Sequence, residues 1–110
     1  EILERFAPVV SARGDQARAN QLREQAAKLR TAIETHAWDG GWYLRAFFDD
    51  GTPLGSAQNQ ECQIDSLSQT WAVFAGGDPH RARTAMRAVA ERLVRPEVGL
   101  IQLFTPPFDQ

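Results

Sequence analysis

Two glycine–aspartate turns, each dividing an apolar helix from a charged one, constrain this chain more than any other feature. The first reads Ala12-Arg13-Gly14-Asp15-Gln16-Ala17-Arg18-Ala19 and the second Ala75-Gly76-Gly77-Asp78-Pro79-His80-Arg81-Ala82. Glycine supplies the left-handed residue that ends a helix, and aspartate supplies the acceptor that starts the next. Before the first turn, Ile2, Phe6 and Val9 recur at helical spacing. Pro8 lies among them and removes one backbone donor, which predicts a kink or an early end. After the turn, the pattern predicts a helix from Gln16 to about Thr35. It turns Leu22, Ala26, Leu29 and Ile33 inward and Arg18, Arg23, Glu24, Gln25, Lys28 and Glu34 outward.

The second turn repeats this order. The helix before it carries Leu67, Trp71 and Phe74 at helical spacing, with Ala72, Val73 and Ala75 filling the other sides. It is therefore expected to be buried nearly all round. Pro79 suits the first position of the next helix, which runs to about Val94. There Ala82, Met86, Val89 and Leu93 point inward, and Arg81, Arg83, Arg87, Glu91 and Arg92 outward. Apolar and half-charged helices thus alternate, as a double ring of helices requires: an inner layer packed on both sides, an outer layer wet on one. Two pairs cannot close such a ring. The alternative is a free-standing four-helix assembly with two strands added.

Between the pairs, Ala37 to Phe48 reads as an aromatic strand that enters a tight turn at Asp49-Asp50-Gly51. Thr52 to Glu61 reads as a polar loop, and Gly99 to Phe104 as a last short strand. The chain opens on a helical pattern with no Met and no signal-like apolar core, and it stops on the apolar run Phe104 to Phe108. Both ends are expected to have been cut from something larger.

Composition narrows the function classes. Hydrophobic residues make up 43% and charged residues 24% of 110 positions, an ordinary globular balance. A net charge of -2 argues against nucleic acid or an anionic membrane as the main partner. A lone cysteine, Cys62, rules out an internal disulfide framework, and with only His36 and His80 beside it a zinc site is not expected. Cys62 reads as a small buried hydrophobe.

Several residues carry two readings. Asp49 and Asp50 form either a carboxylate pair or a turn that hydrogen-bonds its own backbone, and Asp39 before Gly40-Gly41 is open in the same way. Glu61, Asp65, Ser66 and Gln69 sit at the entrance of the third helix, where polar groups would meet a ligand in the mouth of a ring. Against that, Ser66-x-x-Gln69 spells a capping box, and helix capping is the other reading of Gln69 and Asp65 alike. Trp38, Trp42, Tyr43, Phe47 and Phe48 offer either a sugar-stacking face or core. Arg45, midway along the aromatic run, is either a planar ligand clamp or a solvent-facing position of the alternating pattern. No P-loop, dinucleotide fingerprint, metal-spaced histidine pair or nucleophile elbow occurs.

Three blocks do resemble a known family. They are Ala37-Trp38-Asp39-Gly40-Gly41-Trp42-Tyr43-Leu44-Arg45-Ala46-Phe47-Phe48-Asp49-Asp50-Gly51-Thr52-Pro53-Leu54-Gly55-Ser56, then Glu61-Cys62-Gln63-Ile64-Asp65-Ser66-Leu67-Ser68-Gln69-Thr70-Trp71-Ala72-Val73, then Gly99-Leu100-Ile101-Gln102-Leu103-Phe104-Thr105-Pro106-Pro107-Phe108. In this order, and with Arg5-Phe6-Ala7-Pro8 and Ala12-Arg13-Gly14-Asp15 of the first hairpin, they resemble the inverting β-glycoside phosphorylases of glycoside hydrolase family 94. Within that family the likeness is to the phosphorylase-like C-terminal region of cyclic β-1,2-glucan synthases, and it covers nearly the whole chain.

The resemblance implies an all-α fold with short β-hairpin elements, as a fragment of an (α/α)6 barrel made of two helix pairs. Residues 1–110 would then be a partial catalytic domain truncated at both ends. It implies reversible phosphorolysis or transfer of β-glucosyl units, in which one carboxylic acid protonates the leaving oxygen while phosphate attacks the anomeric carbon. Inorganic phosphate is then the co-substrate and a β-linked glucose oligosaccharide the partner, with no further cofactor. The compartment implied is the cytoplasm, as a stand-alone enzyme or as part of a membrane-bound synthase. In the family the general acid lies in an Asp-Trp-Asn type motif upstream of the segment matching Glu1, and this chain has no such motif. No catalytic residue is carried over, and the fragment is expected to be silent by itself. Arg45, Asp65 and Gln69 remain as candidates for lining the sugar cleft. A helical-repeat module that binds a protein partner is the other functional class, and self-association would cover faces that absent neighbours leave bare.

Overall fold

A computed structural model describes residues 1–109. Four helices are joined by short strands that pair two by two. Contacts divide the chain into two units, Glu1–His36 and the remainder from Ala37 onward.

The first unit is a helical hairpin of α1 (Ile2–Ala12) and α2 (Gln16–His36). Pro8 lies inside α1 without ending it. The turn closes as the glycine–aspartate pair predicts. Gly14 takes φ 89, its N–H donates to Ser11 O at 2.9 Å, and Asp15 N–H reaches back to Val10 O at 3.3 Å. Asp15 then caps α2, its carboxylate accepting from Arg18 N–H at 2.9 Å. The buried residues are small (Ala7, Ala19 and Ala26), so the helices meet through alanines. Arg30 spans the pair, donating from Nη2 to both carboxylate oxygens of Glu4 at 2.7 and 2.9 Å. Of the α2 residues expected to turn inward, Ala26 does, but the larger ones do not follow it. Ile2, Phe6 and Val9 of α1 are exposed, as are Leu29 and Ile33 of α2, and Leu22 is half-buried.

The second unit holds β1 (Ala46–Phe47), β2 (Pro53–Leu54), β3 (Ile64–Asp65), α3 (Ser66–Phe74), α4 (Pro79–Arg92), β4 (Val94–Arg95), β5 (Leu100–Ile101) and β6 (Phe104–Thr105). Its central turn repeats the two closing bonds of the first, with one residue, Gly77, added before the aspartate. Gly76 takes φ 66 and donates to Val73 O, Gly77 N–H reaches Ala72 O, and Asp78 accepts from Arg81 N–H at 2.8 Å. Both helix ends are thus Schellman motifs followed at once by an aspartate cap. The core joins Trp42, Tyr43 and Ile64 to Ala85, Ala88, Val89 and Leu93, with Trp38 and Ala72 packed against it. Two arginines expected to face water also lie over indole rings: the half-buried Arg81 over Trp38 at 5.2 Å, and Arg92, exposed as expected, over Trp42 at 4.7 Å.

Two strands anticipated as continuous are divided. In the aromatic run, Gly40 at φ 87 reverses the chain, Trp38 pairs with Tyr43, and only Ala46–Phe47 continues as strand. The turn at Asp49-Asp50-Gly51 does form, and it pairs β1 with β2 inside the stretch expected to be loop. The closing segment splits into β5, which pairs with β4, and β6, which pairs with β3. The third helix is the other correction. Leu67, Trp71, Val73 and Phe74 are all exposed, and Gln69 is its buried residue. Met86 of α4 is likewise exposed.

Candidate functional site

The start of α3 draws the three named polar residues into one cluster. Asp65 ends β3 in an extended conformation, with φ -127 and ψ 133, and caps the helix. Its Oδ1 accepts from Leu67 N–H at 2.8 Å and Ser68 N–H at 3.1 Å, while Oδ2 accepts from Arg45 Nη1. The carboxylate side chain is 1% exposed and the arginine 37%. A buried carboxylate is thus satisfied on both oxygens, and it anchors one edge of a half-exposed guanidinium.

Gln69 does not complete a capping box with Ser66. Because Asp65 takes the cap position, Ser66 falls at the first helical residue and Gln69 one turn inside. The Gln69 amide, fully buried, accepts from Tyr43 N–H at 2.7 Å. It donates to Tyr43 O and to Asp65 O, each at 2.9 Å. The side chain therefore fixes the backbone two residues before Arg45 and the carbonyl of the residue that holds Arg45. The other side of the arginine backbone is set by Leu54 O, which accepts from Arg45 N–H at 2.8 Å. Gly55 follows at φ 88, and a Cβ there would stand 2.7 Å from Arg45 N. Only glycine meets both demands.

Beneath the pair lies Cys62, buried and held at φ 46, its N–H donating to Pro106 O at 2.8 Å. Burial pushes its thiol pKa up, Asp65's negative charge adds to the rise, and Arg45 opposes it. A thiol kept protonated is a poor nucleophile or metal ligand, which fits a small space-filling residue.

The other candidates are placed elsewhere. The Asp39 carboxylate accepts from Ser56 Oγ at 3.0 Å and Ala57 N–H at 2.7 Å, so it pins the loop after β2. Asp50 accepts from Thr52 N–H at 2.8 Å as a turn former, and that bond holds its carboxyl below the usual range. Asp49 is exposed on the same turn. Glu61 accepts from Asp109 N–H at 2.8 Å. The aromatic cluster divides. Trp42 and Tyr43 are core, Trp38 packs edge-on against Tyr43 with ring centroids 5.0 Å apart, and Phe47 and Phe48 are exposed. Trp42 also ties the loop, donating from Nε1 to Gly55 O at 2.9 Å and Gln63 O at 2.8 Å.

Sequence reasoning missed Gly55 and Asn59 as supports. Asn59 accepts from Ser56 N–H and donates to Pro53 O, which shapes the same loop. The signal was present in Leu54-Gly55, a glycine directly after a strand whose last residue pairs with Ala46, the neighbour of Arg45. Among the described residues, no three histidine, cysteine, aspartate or glutamate side chains gather as a metal-ligand set. No described helix is long and apolar enough to cross a membrane.

Comparison with known proteins extends the sequence resemblance. The family profile described as "Glycosyl hydrolase 94 superfamily, catalytic domain" matches residues 1–110. The chain is 44% identical over 108 residues to the cyclic beta-(1,2)-glucan synthase NdvB of Rhizobium meliloti (strain 1021), which covers 97% of this chain and 4% of that protein. It is 39% identical over 97 residues to the N,N'-diacetylchitobiose phosphorylase of Vibrio proteolyticus, covering 86% of this chain and 12% of the relative. It is 38% identical over 97 residues to the solabiose phosphorylase of Paenibacillus borealis, covering 87% and 12%. The chain therefore spans a small part of each of these relatives.

Proposed function

We propose, from the premise that this chain belongs to the glycosyl hydrolase 94 superfamily catalytic domain, that it forms part of the wall of a sugar cleft in an enzyme acting on β-linked glucans. The reaction is phosphorolysis or transfer of β-glucosyl units, with inorganic phosphate as co-substrate. Likeness to a β-1,2-glucan synthase and to two disaccharide phosphorylases supports this substrate class.

The segment is an arc of an (α/α)6 barrel, two helix pairs long. Support comes from each pair taken by itself. The apolar helix turns its stripe of Ile2, Phe6 and Val9, or of Leu67, Trp71 and Phe74, to the outside, while the charged helix buries its alanines. An inner ring of helices needs such stripes for neighbouring pairs.

Within this arc Arg45 contacts the sugar, and Asp65 and Gln69 hold it in place. The observation that carries the assignment is the half-exposed Arg45 guanidinium seated on a carboxylate buried to 1%. A planar fork of N–H donors matches adjacent sugar hydroxyls, and a buried seat fixes its direction in advance. Proton transfer to the leaving oxygen is left to a carboxylic acid outside this segment, so residues 1–110 alone are inactive.

The test is phosphorolysis by the full-length protein, measured as glucose 1-phosphate released from β-linked glucose disaccharides. Arg45→Ala should raise KM by about tenfold with a smaller change in kcat, the mark of a lost ground-state contact. An unchanged KM removes Arg45 from the cleft. The isolated segment should release nothing, and turnover by it would refute the division of labour.

A further inference from the structure

An unpaired arginine in a cleft is an anion site, because its charge and its fork both suit carboxylate and phosphate. Arg45 is not unpaired. Asp65 Oδ2 accepts from its Nη1, and among the described residues neither side chain enters a second ion pair. The carboxylate cannot turn away to relieve a competing anion. Its other oxygen is held by Leu67 N–H and Ser68 N–H, and the carbonyl of the same residue by Gln69 Nε2. Nor can the arginine backbone retreat, since Gly55 lies against it and Leu54 O holds its N–H.

We infer that Arg45 and Asp65 act as one charge-neutral donor site, which selects a neutral, hydroxyl-bearing sugar unit over an anionic unit of the same shape. The inference rests on the reading above that Arg45 lines the cleft. An approaching carboxylate meets attraction from the guanidinium that is offset by repulsion from the buried Asp65 paired with it, and it gives up its hydration as well. A hydroxyl needs only the N–H donors, which pairing at one edge leaves in place. Asp65 is thus a specificity-determining residue that works through its neighbour and does not touch the ligand itself.

The experiment measures binding of methyl β-D-glucopyranoside and methyl β-D-glucopyranosiduronate to the full-length protein at low and high salt. The two probes differ in the carboxylate that replaces the hydroxymethyl group. Wild type should bind the neutral probe about tenfold tighter, and salt should hardly affect the weak binding of the anionic one. Asp65→Asn keeps a good helix cap and nearly the same shape but leaves the arginine charge uncompensated. It should narrow the preference by about tenfold and make binding of the anionic probe salt-sensitive.

An unaltered preference in a folded Asp65→Asn protein overturns the inference and leaves Arg45 in the cleft. If that variant does not fold, wild type still decides. A preference for the anionic probe, or anionic binding that weakens steeply with salt, overturns it equally. Arg45→Gln separates the two ideas, because unchanged binding of the neutral probe there defeats the underlying site assignment.

Discussion

The Gln69 amide accepts from Tyr43 N–H and donates to Tyr43 O, so residue 43 is paired as it would be across a strand ladder. Gln69→Ala removes both of these buried bonds, and should cost about 2–4 kcal/mol in urea denaturation. A loss within experimental error would mean the backbone relaxes to other partners. Asp65→Ala should cost a similar amount, since it removes the α3 cap and strips the seat from Arg45, although the arginine's partial exposure softens the loss. Cys62 makes a pH-dependent prediction. Its folded pKa is raised, so the native state keeps a proton that the unfolded state gives up. The associated stability is present below the ordinary thiol range and is lost as pH rises through it. At about pH 8 the native thiol should resist iodoacetamide and react fully once urea unfolds the chain. At this scale the sequence named Arg45, Asp65 and Gln69, and Asp65 does cap α3, but Gln69 does not form the expected box with Ser66. A capping box is a local pattern, whereas the bond from Gln69 to Tyr43 joins residues far apart in the chain and leaves no local mark.

Helix ends were the most legible elements, because glycine and aspartate act within a few residues of where they stand. Both turns formed at the predicted positions, with the same two closing bonds and the same cap. Asp78 allows a direct check. The bond from Arg81 N–H, followed by a backbone bond from His80 and weaker charge effects, lowers its carboxyl pKa, so its contribution is present above about pH 4 and is lost as pH falls through the folded value. Asp78→Asn keeps the cap but cannot titrate, so its stability should decline less than wild type on acidification, as followed by helical circular dichroism. An identical decline would detach the acid response from this cap. Strands were less legible. The aromatic run satisfied an alternating pattern, yet Gly40 in the left-handed region reverses the chain so that Trp42 and Tyr43 enter the core. Helix faces were legible only in part. In α2 and α4 the buried positions are Ala19, Ala26, Ala85, Ala88 and Val89, four of them alanines that let helices approach closely, while Leu29, Ile33 and Met86 remain outside.

Over the whole molecule, the alternation of apolar and charged helices survives as bare apolar stripes. Trp71 and Phe74 are 57% and 63% exposed and stack edge-on against each other. The 110-residue chain should therefore enhance the fluorescence of a hydrophobic dye while its helices are intact. Trp71→Gln with Phe74→Glu should reduce that signal at a stability cost within about 0.5 kcal/mol for each exposed site. An undiminished signal would place the dye elsewhere. The pairing of β3 with β6 carries a consequence for how such a chain is born. Asp65 stands on a strand whose partner follows all of α4, and Cys62, Gln63 and Ser66 bond to the same late stretch. On the ribosome, both helical turns can set as they emerge, but the socket for the arginine waits for Thr105. A nascent chain stalled before that residue should already be helical, with its Cys62 still open to labelling.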